Sequence, residues 1–213
     1  MTKHLLTGHA RFRSDYFAEE ADFLRNLARD GQHPSALYIG CCDSRVVPEL
    51  LTTSRPGELF VVRNIANVVP PFEHADASVG AAIEYSVSVL GVGHVIVCGH
   101  DLCGGVKAAL DGVDKLQGHP SLHEWIKQIE RPATTAREIE ESQDPTQLLR
   151  TAVEENVLES MDHLITYPAI AAALARQPHA IALHGWVFDI DAGTLRVYDV
   201  MREEFVEAAS VLE

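Results

Sequence analysis

The sequence predicts an α/β fold, with a mostly parallel sheet of about four strands, one antiparallel edge strand and helices on both faces. Four apolar runs have the length of buried strands: residues 36–39, 58–64, 94–99 and 179–188. Segments with helical spacing separate these runs, as parallel strands require. A fifth run at 194–198 follows the turn residues 191–193, so the chain is expected to end in a hairpin.

The helices follow from apolar residues that recur at three- and four-residue steps. An extended amphipathic helix is predicted at residues 9–29, before the turn signal Asp30-Gly31. Further helices are predicted between the strands, at residues 48–51, 77–90, 103–110 and 146–164, within the polar stretch 118–144, and up to residue 175. Since no repeat, low-complexity stretch or linker interrupts the pattern, residues 1–213 are interpreted as one domain.

The composition excludes several classes of partner. The formal net charge is -14 and the pI is near 5.1, which argues against nucleic-acid binding and against an anionic membrane surface. No apolar run approaches the roughly 18 residues of a membrane-spanning helix, and the start lacks a signal-peptide core, so we expect a cytoplasmic protein. In that compartment the 4 cysteines are metal ligands or buried thiols, not disulfides.

Two strand ends carry residues that bind metals. Cys41 follows the first strand, and His100 and Cys103 follow the third. The carboxyl ends of parallel strands meet at one edge of a sheet, where sites are usually built. Two sulfurs and one imidazole form a three-ligand zinc site with a free fourth position. The sequence therefore predicts one Zn²⁺ ion held by Cys41, His100 and Cys103.

Asp43 and Arg45 lie directly beside the first ligand. Two thiolates neutralise the formal charge of zinc, so the metal acidifies its water less and a nearby hydrogen-bond acceptor becomes valuable. Asp43 is placed for that role, and Arg45 can hold it ionised through a bidentate pair. A zinc-bound hydroxide oriented in this way is a nucleophile for a small electrophilic carbon. Cys98 and Cys42 are interpreted instead as a buried thiol and as a side chain directed away from Cys41.

At these residues the chain resembles the β-class carbonic anhydrases. The resemblance rests on Cys41-x-Asp43-Ser44-Arg45 and His100-x-x-Cys103-Gly104-Gly105, and continues through segments 60–67, 80–85 and 185–188. It implies reversible hydration of carbon dioxide to bicarbonate and a proton. Asp43 would accept a hydrogen bond from the hydroxide, with Arg45 holding Asp43. It also implies a homodimer or a larger assembly of dimers, with the site at the dimer interface.

Finer positions are similar to the plant-like branch of that family. This similarity implies a substrate pocket formed by Gln32, Phe60, Ile65, Tyr85 and Gly104. The bacterial branch with an inhibitory bicarbonate site has a tryptophan and a tyrosine where this chain has Tyr38 and Phe188, and only its arginine, Arg63, is kept. We therefore predict no such regulatory pocket, and an Asp43 that pairs with Arg45 instead of binding zinc.

Two other functions stay open from the sequence. A hydrolase of carbonyl sulfide or carbon disulfide on the same fold would differ in pocket shape and access, which no motif here decides. A non-catalytic zinc module would close the site with a fourth cysteine, and it would leave the pair of Asp43 and Arg45 without a task.

Overall fold

The computed structural model describes residues 2–142, 144–176 and 180–212. Within them, six strands form one sheet in the order β2-β1-β3-β4-β5-β6. The strands are β1 (Ala36–Cys41), β2 (Leu59–Asn64), β3 (His94–His100), β4 (Ala182–Phe188), β5 (Leu195–Asp199) and β6 (Glu204–Glu207). Strands β1 to β4 are parallel, whereas β5 and β6 pair in antiparallel fashion.

The predicted sheet is confirmed, with one strand more than expected. Four parallel strands and the antiparallel β5 lie where the apolar runs indicate. His179, the predicted start of the fourth strand, lies outside the described residues. The sequence did not predict β6 because it has only four residues, two of them glutamates, and so lacks the apolar pattern of a strand.

Ten α-helices are assigned within the described residues. They are α1 (Lys3–Ser14), α2 (Tyr16–Glu19), α3 (Ala21–Asp30), α4 (Pro48–Thr52), α5 (Ala77–Glu84), α6 (Gly104–Asp111), α7 (Pro120–Lys127), α8 (Glu130–Ile139), α9 (Pro145–Leu164) and α10 (Pro168–Arg176). The helix predicted at 77–90 begins as α5 and continues as a π-helical segment, Tyr85–Leu90, that ends at Gly91 with φ 70°. Proline at the first turn starts four of these helices, as its fixed φ favours.

The sheet has a large core on one face and a smaller one on the other. Leu37, Ile39 and Cys41 alternate onto the large core, which α5, α6, α8, α9 and α10 cover. Tyr38 and Cys98 lie on the opposite face, where Leu51 of α4 packs against them. Glycines at positions 99 and 185 allow helix α9 to pack closely on the sheet. A Cβ added to Gly99 would lie 2.8 Å from an α9 side chain, and one added to Gly185 would lie 2.5 Å from another.

The N-terminal segment differs from the single extended helix that the sequence predicts. Non-helical angles at Asp15 and Glu20 divide it into α1, α2 and α3. In α3, the ring centroid of Phe23 lies 3.8 Å from the guanidinium carbon of Arg55. None of the three helices contributes a fully buried residue. Leu5 and Leu6 are 62% and 68% exposed. Helix α1 therefore has an apolar surface that the described part of the chain leaves in solvent.

The described residues include no helix that combines the length and apolar character needed to cross a membrane.

Candidate active site

Three metal-binding side chains converge at the carboxyl edge of the sheet. Cys41 ends β1, His100 ends β3, and Cys103 precedes the first residue of α6. Their ligand atoms lie within 4.8 Å of one another, and the two sulfurs are 4.0 Å apart. Two thiolates on a tetrahedral zinc ion are separated by about 3.8 Å. Among the described residues this is the one group of three or more such ligands, and all three side chains are buried.

The orientation of His100 fits a metal ligand. The carbonyl oxygen of Asp101 lies 2.9 Å from Nδ1 of His100 and accepts a hydrogen bond from its N–H group. Nε2 is then left with its lone pair, buried and without a hydrogen-bond partner in the described residues. A buried nitrogen without a partner is costly, and coordination to a metal ion removes that cost. Two sulfurs and one imidazole nitrogen are the donors that zinc prefers.

The surroundings of the two sulfurs shift their pKa values in opposite directions. The hydrogen bond from Cys103 lowers the pKa of Cys41, although burial acts in the opposite direction. The same contact, together with burial, raises the pKa of Cys103. The backbone N–H of Ala66 lies 3.4 Å from the Cys41 sulfur and donates to it. Both contacts favour the thiolate form of Cys41.

A left-handed turn delivers that N–H group. Ala66 and Asn67 have φ angles of 62° and 48°, which are unusual for residues other than glycine. The buried side chain of Asn156 on α9 donates to the Ala66 carbonyl over 2.8 Å and holds the turn. No sequence pattern indicates Asn156, because it lies 90 positions from Ala66 and belongs to no motif.

Asp43 is fixed against Arg45. The Arg45 guanidinium donates to both carboxylate oxygens over 2.9 and 2.7 Å, and the Arg45 backbone N–H donates over 3.0 Å. These hydrogen bonds hold the pKa of Asp43 well below its usual range. Oδ2 of Asp43 lies 3.9 Å from Nε2 of His100. An ionised acceptor therefore faces the three ligands without occupying their centre.

Arg63, on the neighbouring strand β2, stabilises the segment that carries Cys41 and Asp43. Its guanidinium donates to the carbonyl oxygens of Cys41, Asp43 and Val46, over 2.9, 2.6 and 2.7 Å. The arginine that the resemblance matches to an inhibitory bicarbonate site is thus engaged with the backbone here. Cys98 is buried on the opposite face of the sheet and Cys42 is exposed, so neither joins the ligand group as a fourth cysteine.

Two of the predicted pocket residues lie at the metal edge. Ile65 directly follows β2, and Gly104 directly follows Cys103. A Cβ added to the adjacent Gly105 would lie 2.8 Å from Cγ2 of Ile65, so the two segments are in close contact. The indole of Trp125 donates to the Ile65 carbonyl over 2.8 Å and fixes this wall, a contact that no sequence pattern indicated.

The other three predicted pocket residues lie at the opposite edge. Phe60 pairs with Leu37, which precedes Cys41 by four residues or about 13 Å of strand. The Tyr85 ring packs on Phe60 with the centroids 5.8 Å apart, and Gln32 precedes the first residue of β1 by four positions. The fold therefore separates Gln32, Phe60 and Tyr85 from the metal ligands of their own chain.

Comparison with known proteins agrees with this geometry. The sequence profile of the carbonic anhydrase family matches residues 36–195. A carbonic anhydrase of Pseudomonas aeruginosa is 38% identical over 97% of this chain and 92% of its own length. The chain belongs to the β-class carbonic anhydrase family.

Solved structures show the same fold. The β-carbonic anhydrase CcaA superposes with a TM-score of 0.91 at 38% identity, covering 96% of this chain and 98% of that one. A structure from a study of two tetrameric β-carbonic anhydrases of Sordaria macrospora superposes with a TM-score of 0.82 at 31% identity, covering 92% and 95%. The resemblance stated from the motifs is confirmed.

Proposed function

We propose that this chain is a zinc-dependent carbonic anhydrase that catalyses the reversible hydration of carbon dioxide to bicarbonate and a proton. The observation that carries the proposal is the buried group of Cys41, His100 and Cys103, beside an ionised Asp43 paired with Arg45. The carbonic anhydrases that match this chain over most of its length support the same activity.

The residues of the site have separate tasks in this proposal. Cys41, His100 and Cys103 hold one zinc ion per subunit. Bound there, Zn²⁺ supplies the Lewis acidity that lowers the pKa of water towards neutrality. Asp43 cannot donate a proton while ionised, so its Oδ2 accepts a hydrogen bond from the attacking water. This hydrogen bond directs a lone pair of the water oxygen to the substrate carbon. Arg45 keeps that carboxylate ionised and fixes its direction.

We further infer that the working unit is at least a homodimer. Gln32, Phe60 and Tyr85 are too far along the strands to reach the metal ligands of their own chain. In a two-fold dimer each chain can present them to the site of its neighbour, so that Ile65 and Gly104 from one chain and these three from the other enclose a small apolar pocket. The exposed apolar surface of α1 is consistent with such an assembly.

Stopped-flow measurement of carbon dioxide hydration, combined with zinc analysis, tests the proposal. We expect one zinc ion per chain, loss of hydration on chelation, and recovery on adding Zn²⁺. A zinc-loaded protein without hydration activity would contradict the proposal. Parallel assays with carbonyl sulfide and carbon disulfide then decide whether either of these is the preferred substrate.

A further inference from the structure

We propose that Asp101, a residue next to the metal ligand His100, positions the turn that carries two of the three ligands, and that Arg150 and Arg196 act through it. The inference rests on the proposed zinc site and adds residues to it. None of these three residues belongs to a motif. Asp101 directly follows β3, Arg150 lies on α9 and Arg196 lies on β5.

The backbone of Asp101 connects the turn to the sheet. Its N–H donates to the Phe188 carbonyl over 2.9 Å, which extends the pairing of β3 with β4 by one hydrogen bond. Its carbonyl oxygen accepts from Nδ1 of His100 over 2.9 Å. That second contact determines which nitrogen of the imidazole faces the metal and how the ring is rotated.

The carboxylate of Asp101 is held by two arginines. Oδ2 accepts from Nε and Nη2 of Arg150 over 3.2 and 2.8 Å, and Oδ1 accepts from Nη2 of Arg196 over 3.1 Å. The carboxylate is 9% exposed, and the Arg196 side chain 14%. Hydrogen bonds between ionised groups are strong and directional, so the Asp101 backbone has little freedom to rotate.

Leu102 transmits this constraint to the rest of the site. It has a left-handed φ of 60°, a strained conformation for leucine, and it joins Asp101 to the ligand Cys103. Its carbonyl oxygen lies 3.4 Å from Nη2 of Arg45, the partner of Asp43. The turn at residues 100–103 is thus anchored by Asp101 at one end and touches the Asp43–Arg45 pair at the other.

Anchoring of this kind prepares the ligands before the metal arrives. Without the Asp101 carboxylate, the strained turn can relax and change the direction of the His100 ring and of the Cys103 sulfur. Changes to groups that orient metal ligands typically weaken metal binding by about 10- to 100-fold. If the network only supported the edge of the sheet, its loss would lower thermal stability and leave the bound metal unchanged.

The test compares Asp101→Asn with Asp189→Asn. Asp189 is the second acceptor of Arg150, over 3.1 Å, but it contacts no metal ligand, so its substitution removes a comparable ion pair. The zinc dissociation constant is measured by competition with a chromogenic chelator, and the absorption spectrum is recorded with Co²⁺ in place of zinc.

For Asp101→Asn we expect zinc binding about 10- to 100-fold weaker and a shifted Co²⁺ spectrum, while Asp189→Asn keeps both wild-type values even if its melting temperature falls. An Asp101→Asn protein with wild-type affinity and spectrum, or an equal loss in Asp189→Asn, would overturn the inference. If Asp101→Asn does not fold, Arg150→Lys retains the charge and loses the two-nitrogen contact. We then expect a shifted Co²⁺ spectrum, and an unchanged one contradicts the inference.

The two proposals fail in different ways. A wild-type protein that binds no zinc contradicts the proposed function and this inference with it. A wild-type protein that binds zinc and hydrates carbon dioxide, beside an Asp101→Asn protein that binds zinc as well as it does, contradicts the positioning role alone.

Discussion

The two edges of the parallel sheet carry different halves of the predicted site. At the carboxyl edge, the ligand group, Asp43 and Arg45 are all brought together within one chain. At the amino edge, Gln32, Phe60 and Tyr85 are far from any metal ligand of that chain. Both sets match one pocket in the family that the chain resembles, so sequence similarity groups residues that the fold of a single chain keeps apart.

The two edges therefore differ in role: one carries the reactive groups and the other carries the walls of the pocket. The carboxyl edge holds the groups that we propose bind the metal and direct the nucleophile, and contacts within the chain fix their positions. The amino edge contributes an amide and two aromatic rings, which suit the walls of a pocket for a small apolar molecule. Substitutions at the two edges should therefore differ in size of effect and in whether a second chain can compensate for them.

The largest effect is expected from Cys41→Ser at the carboxyl edge. Loss of one thiolate should remove the zinc and reduce hydration by about 10³-fold or more, since the metal provides the activated water. Zinc analysis and stopped-flow hydration measure both quantities. Cys42→Ser is the matched control, because Cys42 is adjacent but exposed and should keep full zinc content and activity. Equal losses in both variants would contradict the assignment.

Asp43→Asn should have the next largest effect. The amide keeps the size of the side chain but is a weaker, neutral acceptor, so we expect a fall in kcat of about 100-fold with the zinc content unchanged. Asp111→Asn is the control, because that carboxylate is exposed and pairs with Lys107 on the outside of α6. Loss of zinc in parallel with activity would instead indicate that Asp43 is a metal ligand.

Gln32→Ala tests the amino edge. Removing one hydrogen bond to substrate should lower kcat/KM by about tenfold and leave zinc binding intact. The side chain is exposed in the single chain, so the fold should be unaffected. Steady-state hydration kinetics across carbon dioxide concentrations provide the measurement. Wild-type kcat/KM would exclude Gln32 from the pocket.

Mixing the two edge variants tests whether two chains share one site. In a dimer of Cys41→Ser with Gln32→Ala, one of the two sites combines an intact ligand group with an intact Gln32. After random exchange of equal amounts, half of the dimers are mixed, so about a quarter of all sites should have wild-type activity. This is roughly fivefold above the summed activity of the two variants before exchange, which we call the unmixed sum. Hydration is measured before and after exchange of differently tagged chains. Activity that stays at the unmixed sum despite proven exchange would show that each chain completes its own pocket.

Much of the fold and of the metal group could be predicted because the signals are local. Apolar runs predicted the four parallel strands. Because the carboxyl ends of parallel strands lie at one edge of a sheet, Cys41 was predicted to lie near His100 and Cys103. Strand β6 was missed because its glutamates hide the pattern. The N-terminal helix was predicted as continuous because apolar periodicity runs through Asp15 and Glu20, where the backbone leaves the helix.

The contacts that support the site could not be predicted, because they join positions far apart in sequence. Arg150 and Arg196 meet Asp101 over 49 and 95 positions, and Asn156 meets Ala66 over 90. An arginine or an asparagine on a helix has no pattern that distinguishes such a role from an ordinary surface position. The separation of Gln32 from the metal could have been inferred, since a residue that precedes a parallel strand lies at the amino edge of the sheet.

In the proposed dimer, the position of Gln32, Phe60 and Tyr85 also links turnover to protein concentration. By mass action, a pocket enclosed by two chains exists only in the associated fraction, so dilution below the dissociation constant of the dimer removes working sites even though every chain stays folded. The specific activity of such an enzyme rises with its own abundance, and a cell that makes little of it obtains less than a proportional share of catalysis.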